Sequence, residues 1–419
     1  MMSKTTSTVQ SIDESRVLYL SSFTDTQEAI GYISSLALSS WFTILDERGC
    51  TATCSQNSRN VTLSNVGLKT LGILTAGCQI SFDGGIEWFN IQTVTSDTAI
   101  VMRSPLETAS VSGVAITIAR PNWRRFILDD AAKLTTLQFA NGSTTNLQII
   151  NSCGGVLGNP QESAGLDRIL YAPLYGNLML QDVKSNCEGF ETYGSTSWCA
   201  GGRNSSGEVV LGSHNRTLHY EEIGGRHISD GVDCFYPGGA FGSLQLNKSF
   251  YQSCQDIILP IHSGDLKLDS TVVRGLVREL SGLYLHIRTF TKHPSSVKNS
   301  TIVIDHNGAT PLSPSLVLQI NDSAAESLAQ NKVSVWENST IQYMRGAATD
   351  FDFIAGSSLA TTGISCTINT CTFDGAQATG GIPEIVNTAA YTGTGSLTMN
   401  SPTKTNFVNG GGGTFTITG

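Results

Sequence analysis

From Thr24 the chain reads TDTQEAIGYISSLALSSW, and behind the polar capping residues Ile30, Ile33, Ala37, Trp41 and Ile44 recur at three- and four-residue intervals. That spacing predicts one amphipathic helix, packed either on a partner subunit or on its own domain. Between about Ala52 and Pro121 the period shortens to alternation. CQISF is followed by the turn Asp83-Gly84-Gly85, then IEWFNIQTV, a Ser96-Asp97 turn, TAIVMRS, a loop with Pro105, and VSGVAITIA. Short alternating runs joined by such turns predict hairpins in a small antiparallel barrel or sandwich. Asn122 to Lys133 (NWRRFILDDAAK) concentrates charge and reads as a connector.

After Lys133 the chain becomes a succession of β-branched runs, each ending in Asn, Asp or Gly: TNLQIIN, NLMLQDVKSN, GSLQLNKS, DLKLDS, NSTIVIDHNG, KVSVWENS, SCTINTCTFDG and GSLTMNS among them. Each run has the length of a strand, and only SAAESLAQ (Ser323 to Gln330) suggests a helix between them. Strands without crossover helices argue against α/β folds, and uneven spacing without a blade signature argues against a propeller. A parallel β-helix is the favoured architecture, with Asn321, Asn338 and Asn369 at bends, where Asn accepts the left-handed conformation. Antiparallel hairpins in a sandwich stay open. The expected fold is therefore mainly β. It divides into an N-terminal segment with a helix (1–50), a small β-barrel attachment domain (51–121), a connector (122–144), a β-solenoid-like domain (145–345) and a low-charge β-rich C-terminal segment (346–419).

Composition agrees with strands rather than solvated helices: 14% of the 419 residues are charged and 43 are Gly, against a 40% apolar fraction that suffices for a core. The C-terminal segment carries one basic residue, Lys404, and ends in the uncharged TFTITG, which a monomer would present as an exposed edge strand. Pairing with identical chains would cover that edge and points to a homo-oligomer; a flexible Gly/Ser-rich tail is the other reading.

Net charge is −9, from 25 basic and 34 acidic residues, and the longest basic cluster is Arg124-Arg125, so the electrostatic footprint of a nucleic-acid binder is missing. The N-terminus lacks the apolar run of a secretory signal, and the uncharged stretch Ala29 to Leu45, broken by Gly and Ser, falls short of a membrane span. No membrane insertion is expected. The ten cysteines (50, 54, 78, 153, 187, 199, 234, 254, 366 and 371) read as buried thiols rather than a disulfide framework, and the pairs Cys50/Cys54 and Cys366/Cys371 lack nearby His for zinc. The Asn-x-Ser/Thr triplets at Asn60, Asn141, Asn204, Asn215, Asn247, Asn299, Asn321 and Asn338 reflect a composition rich in these residues.

A small β-rich attachment domain, a Gly/Ser/Thr/Asn-rich run of solenoid-like strands and a low-charge C-terminal segment together make a chain that resembles the tail fibres, tailspikes and related appendages of tailed bacteriophages. The resemblance implies a structural virion protein made in the host cytoplasm, a homotrimer docked by its N-terminal part on other tail proteins and meeting a host-surface polysaccharide or receptor distally. It implies no cofactor. The same fold in that family also supports polysaccharide lyases and glycoside hydrolases, which is the alternative function.

For that alternative, two carboxylates should flank a sugar linkage, about 5–5.5 Å apart for retention or about 6.5–9.5 Å for inversion. Asp265 and Asp269 share one face of a strand at about 13 Å, too far unless a neighbouring coil supplies a partner such as Asp305, next to His306. Without such an activity no catalytic residue is expected. The stretch HNRTLHYEEIGGRHISDGVD gathers His214, His219, His227, Glu221, Glu222, Asp230 and Asp233; it fits no metal pattern such as HExxH or a calcium loop and reads equally as a solvated loop, so no metal is expected. Tyr193, Trp198, Phe235, Tyr236 and Phe241 lie in loop-like surroundings, where rings stack on sugars or fill a core.

Overall fold

The computed structural model describes residues 16–56, 58–85, 88–103, 106, 109–135, 137, 144–157, 175–187, 218–229, 243–253, 265–276, 295–306, 315–320, 333–347, 351–356, 362–387, 394–410 and 415–419. Three parallel sheets wrap one core as a β-helix. The first face has twelve strands, running from Val17–Tyr19 and Arg124–Leu128 through Thr144–Asn151, Tyr175–Gln181, Leu218–Ile223, Ser243–Asn247, Asp265–Asp269, Ser295–Lys298, Val333–Glu337 and Thr362–Asn369 to Thr394–Asn400 and Phe415–Thr418. The second face has eight strands, from Lys184–Cys187 to Thr403–Thr405, and the third has four, from Ser315–Ile320 to Val408–Gly410. Every pairing in these faces is parallel, for example Leu268↔Val297 and Val297↔Trp336. Among the described residues this region therefore holds no antiparallel pairing of the kind a sandwich would need.

Period-two alternation explains the core. On the first face the register stacks Phe126, Ile149, Leu180, Glu222, Leu246, Leu268, Val297, Trp336, Ile368 and Met399 into one buried column. The second face answers with Tyr251, Val273, Ile302, Ile341 and Phe373. Further along, rings replace aliphatics: Phe353 meets Trp336 and Phe373 edge-on at 5.1 and 5.2 Å, and Tyr343 stacks on Phe351 at 4.8 Å. Such ring pairs add to the area they bury.

The bend between first and second faces is made by two residues at each of eight corners. The first is left-handed: Asp182, Lys248, Ser270, Asn299, Asn338, Thr370 and Ser401 have φ of 48–55°, and Gly224 has 71°. The second is small or apolar, and Val183, Gly225, Ser249, Thr271, Ser300, Ser339 and Cys371 are buried while Pro402 is partly exposed. Ser300 Oγ accepts the N–H of Thr271 at 3.1 Å, and Ser339 Oγ accepts the N–H of Ser300 at 3.2 Å. Backbone bonds also cross the coils here, as from Asn299 N–H to the Glu337 carbonyl at 3.0 Å and from Thr301 N–H to the Thr271 carbonyl at 2.9 Å. The Asn-Ser-Thr triplets at Asn299 and Asn338 are therefore corners: Asn turns the chain, Ser is buried, and Thr opens the next strand. Asn369 differs from expectation. It is the last residue of its strand and accepts from Asn400 Nδ2 at 2.8 Å, and the left-handed place passes to Thr370. Asn321 and the Ser323 to Gln330 segment lie outside the described residues.

The helix α1 (Thr26–Ser35) is shorter than the periodicity suggested. Asp25 caps it, its carboxylate accepting from Glu28 N–H at 2.9 Å, and Thr26, Ala29, Ile30 and Ile33 are buried against the first coils. It lies on its own domain and closes one end of the solenoid core, as a stacked fold requires. Trp41 and Ile44 fall beyond the helix, and Ile44 sits in Phe42–Leu45, an edge strand of an eight-stranded antiparallel sheet, where it pairs with Thr117–Pro121; Val111–Ala115 is the other edge. The hairpins of this sheet turn at the glycines of 83–85 and at Ser96-Asp97, as the alternation indicated.

Two expected boundaries do not coincide with changes of sheet. The charged connector contains the strand Arg124–Leu128, which pairs with both Val17–Tyr19 and Thr144–Asn151; Phe126 and Leu128 face inward while Arg125 reaches Gln148 Oε1 at 3.1 Å. Beyond 345 the strands join the same three faces.

A chain of carboxamides joins the antiparallel unit to the β-helix. Gln79 Nε2 donates to Asn90 Oδ1 (2.9 Å), Asn90 Nδ2 to Asn177 Oδ1 (3.0 Å), Asn177 Nδ2 to Asn146 Oδ1 (2.8 Å), and Asn146 Nδ2 to the Trp41 carbonyl (2.8 Å). Phe42 stacks on Trp88 at 5.3 Å, and both rings belong to the solenoid's core cluster.

The corner geometry yields a prediction. A β-branched side chain strains a left-handed residue by roughly 1–2 kcal/mol, so Asn338→Val is expected to lower the urea midpoint, while Asn338→Gly leaves it nearly unchanged. Equal losses for both would show that Asn338 acts through its side chain and not through its backbone conformation.

Candidate functional site

A buried polar cluster of the shaft is centred on Asp305, at the end of the strand Thr301–Asp305. Its carboxylate is fully buried, and three donors from two guanidinium groups hold it: Arg345 Nε at 2.7 Å, Arg345 Nη2 at 2.5 Å and Arg274 Nη2 at 3.2 Å. The guanidinium side chains stay near 40% exposed, so charge is neutralised at the surface of the coil. Hydrogen bonds to Asp305 make Arg345 hold its proton more tightly than an ordinary guanidinium does.

Backbone geometry delivers Arg345 there. The strand Thr340–Ala347 shifts register between Met344 and Ala347, and Arg345 is left-handed at φ 55°. Such a bulge re-aims one side chain, and Arg345 folds back over Asp305, the register partner of Met344. The next residue is Gly346 because a Cβ there would collide with the Tyr343 hydroxyl and the His306 ring. His306 is buried, donates its backbone N–H to the Met344 carbonyl at 3.0 Å and meets the Tyr343 ring edge-on at 5.2 Å. Tyr343 donates its hydroxyl to the Ala347 carbonyl at 2.6 Å. The arrangement ties one coil to the next and commits the Asp305 carboxylate to bidentate pairing.

The other two acidic candidates occupy a different face. Asp265 begins and Asp269 ends one strand of the first face. Asp269 is exposed and accepts from Asn299 Nδ2 and Ser270 Oγ, both at 3.1 Å. The register partner of Asp305 is Leu276, at the far end of the strand Val272–Leu276 that comes after the corner beyond Asp269. A strand's length, about 13 Å, thus stands between the Asp269 and Asp305 positions, beyond either glycosidase spacing.

The His- and acid-rich stretch is not a loop over 218–229. It forms the strands Leu218–Ile223 and Arg226–Ser229 around the Gly224-Gly225 corner. Alternation sends its two glutamates to opposite sides. Glu222 takes an aliphatic's place in the inner column, fully buried, and accepts from the Tyr251 hydroxyl. Gly225 leaves the room this needs, since a Cβ would overlap the Glu222 carboxyl. That inward carboxylate was hidden because GG reads as loop; the run of alternation in LHYEEI was its only signal. Glu221 lies on the outer side, where burial pushes its carboxyl up and nearby Arg103 and Lys267 oppose the rise. Among the described residues no group of three His, Cys, Asp or Glu is placed to hold a metal ion. His214, Asp230, Asp233 and the aromatics Tyr193, Trp198, Phe235, Tyr236 and Phe241 lie outside the described residues. Cys50, Cys54, Cys78, Cys153, Cys366 and Cys371 are unpaired thiols, and burial raises Cys54 to about 11. Among the described residues no helix is long and apolar enough to cross a membrane.

Arg345→Ala takes two donors away from a fully buried carboxylate, whereas Asp305→Asn leaves two arginine side chains that are already near 40% exposed. Thermal unfolding should therefore show a larger loss for Arg345→Ala, and the reverse order would contradict the structural role of the pair. Because the folded carboxyl of Glu221 binds its proton more tightly than the unfolded one, its contribution is most favourable at low pH and declines as pH rises above about 4.5. Glu221→Gln is expected to raise the melting temperature at pH 7 and to bring the two proteins together near pH ~4, as a pH series of melting curves would read.

No protein-family model matches the chain, and no curated protein matches it. Among solved structures, the Gp54 tailspike of Acinetobacter baumannii bacteriophage AP22, in complex with A. baumannii capsular saccharide, is similar over 85% of this chain with 10% identity and a TM-score of 0.30. The chain spans 64% of that protein. At this identity and score the likeness fixes neither fold nor function.

Proposed function

We propose that this chain is a structural protein of a tailed-bacteriophage virion, a homotrimeric tail fibre or tailspike. Its N-terminal part docks on other tail proteins, and its shaft carries the distal part to a host-surface polysaccharide or receptor. The observation that carries the reading is the shaft: twelve parallel strands in one sheet, tied coil to coil through corner and side-chain hydrogen bonds. At about 4.8 Å per coil such a stack extends some 50 Å as one hydrogen-bonded body, a form suited to transmitting force and presenting a surface. Its outer columns support the same reading. Thr301, Thr340, Thr372 and Thr403 succeed one another along the second face, offering a low-charge flank with little repulsion toward a second copy. The three-copy assembly comes from the resemblance to tail appendages in sequence character.

The pairing of Asp305 with two arginines favours a structural role over the polysaccharide-degrading alternative. Light scattering on a sizing column is expected to read three times the chain mass of 44.6 kDa; a monomer would overturn the trimer. Incubation with host capsule should release no reducing ends or unsaturated sugars. Release that is lost in Asp305→Asn or Asp269→Asn would establish the enzyme instead.

A further inference from the structure

Where the antiparallel sheet meets the first coils, a cleft of about 440 Å³ opens between them, its lining including Asn90, Gln92, Arg103, Arg120, Trp123 and Asn177. Its size falls in the range of small-ligand sites. Its chemistry is unlike the rest of the chain. In a protein of net charge −9, the lining carries two arginines and no carboxylate. Arg120 is exposed, and its guanidinium makes no hydrogen bond or ion pair among the described residues. Arg103 is half-buried and lies within electrostatic reach of Glu221. The Trp123 ring is likewise half-exposed.

The neutral groups are held in place. Asn90 and Asn177 belong to the carboxamide chain that joins the two units, so their orientation is set by Gln79 on one side and Asn146 on the other. Gln92 is hydrogen-bonded through Oε1 to Arg59 Nη2, which turns its amide toward the arginine. The walls thus combine cations, an aromatic plane and fixed carboxamides. A guanidinium pairs a carboxylate in charge-assisted fashion, an indole face packs on a sugar ring, and carboxamides meet hydroxyls.

We propose that this seam cleft binds a carboxylate-bearing sugar residue, with Arg120 pairing the carboxylate and Trp123 stacking on the ring. The site goes beyond the appendage reading and does not require it, since the lining of the cleft alone supports it. Glu221, as a neighbouring carboxylate, competes with the ligand for Arg103.

The test titrates the full chain with sodium glucuronate, glucose and inorganic phosphate, read by calorimetry and saturation-transfer NMR. Glucuronate is expected to bind, and glucose to bind about tenfold more weakly, the worth of one charge-assisted hydrogen bond. Arg120→Ala and Trp123→Ala should each weaken glucuronate, while Glu221→Gln should strengthen it. An unchanged melting curve for Arg120→Ala, whose side chain is exposed, shows that the fold is kept. Absence of glucuronate binding, binding that Arg120→Ala leaves unchanged, or phosphate binding as tightly as glucuronate would each overturn the proposal. None of these results alters the mass or capsule assays, so failure here is distinguishable from failure of the appendage reading.

Discussion

Everything in the shaft depends on the corner between its first two faces. A parallel stack pairs only if each coil turns at the same register, because a single-residue slip would send every inward side chain outward. The left-handed residue makes that turn in the smallest number of residues, and its N–H reaches the carbonyl that ends the next coil's strand, as from Lys248 to Asp269 and from Thr370 to Asn400. The residue after it is buried at all corners but the last, and its hydroxyl, where present, serves backbone groups that would otherwise be unpaired. Conformation, hydrogen bonding and burial thus select one two-residue turn eight times over, with Asn, Gly, Ser, Asp and even Lys and Thr accepting the left-handed place.

Once the corners are aligned, the inner columns are set, and polar groups enter the core only where partners wait. Glu222 is admitted by Tyr251 and by the space beside Gly225. Asp305 is admitted by Arg345 and Arg274, the first of which arrives through a bulge. Pairs of this kind add less stability than their attraction alone would, because desolvation offsets much of it. The carboxamide chain at the seam works differently. Neutral amides both donate and accept, so they join the antiparallel unit to the coils without placing charge between them.

Much of the fold was legible. Alternation located the hairpins around Asp83-Gly84-Gly85 and Ser96-Asp97, the end-of-strand Asn and Asp residues indicated coils, and polar capping residues ahead of the Ile30 and Ile33 periodicity indicated a helix. The connector misled because charge at Arg124 and Arg125 masks Phe126 and Leu128, which a strand needs only at alternate positions. The chain beyond 345 looked separate because its outward positions are Thr, Ser and Asn instead of charged residues, yet its inward positions Ile368, Phe373 and Leu397 continue the same columns. Of the candidate acids, Asp305 could be named from its neighbourhood in IVIDHNG, but not its partners, which lie 31 and 40 residues away.

The sequence by itself determined the local choices: strand or turn, inward or outward, and where a left-handed residue could stand, since each depends on neighbours a few positions apart. Only the tertiary structure decided which strands pair, that all three shaft sheets are parallel, and which of two adjacent glutamates is buried. It also decided that Arg103, Arg120 and Trp123 share one cleft with Asn177 from another unit. Those outcomes depend on register across coils, and register is set by long-range hydrogen bonding and core packing that no short window of sequence contains.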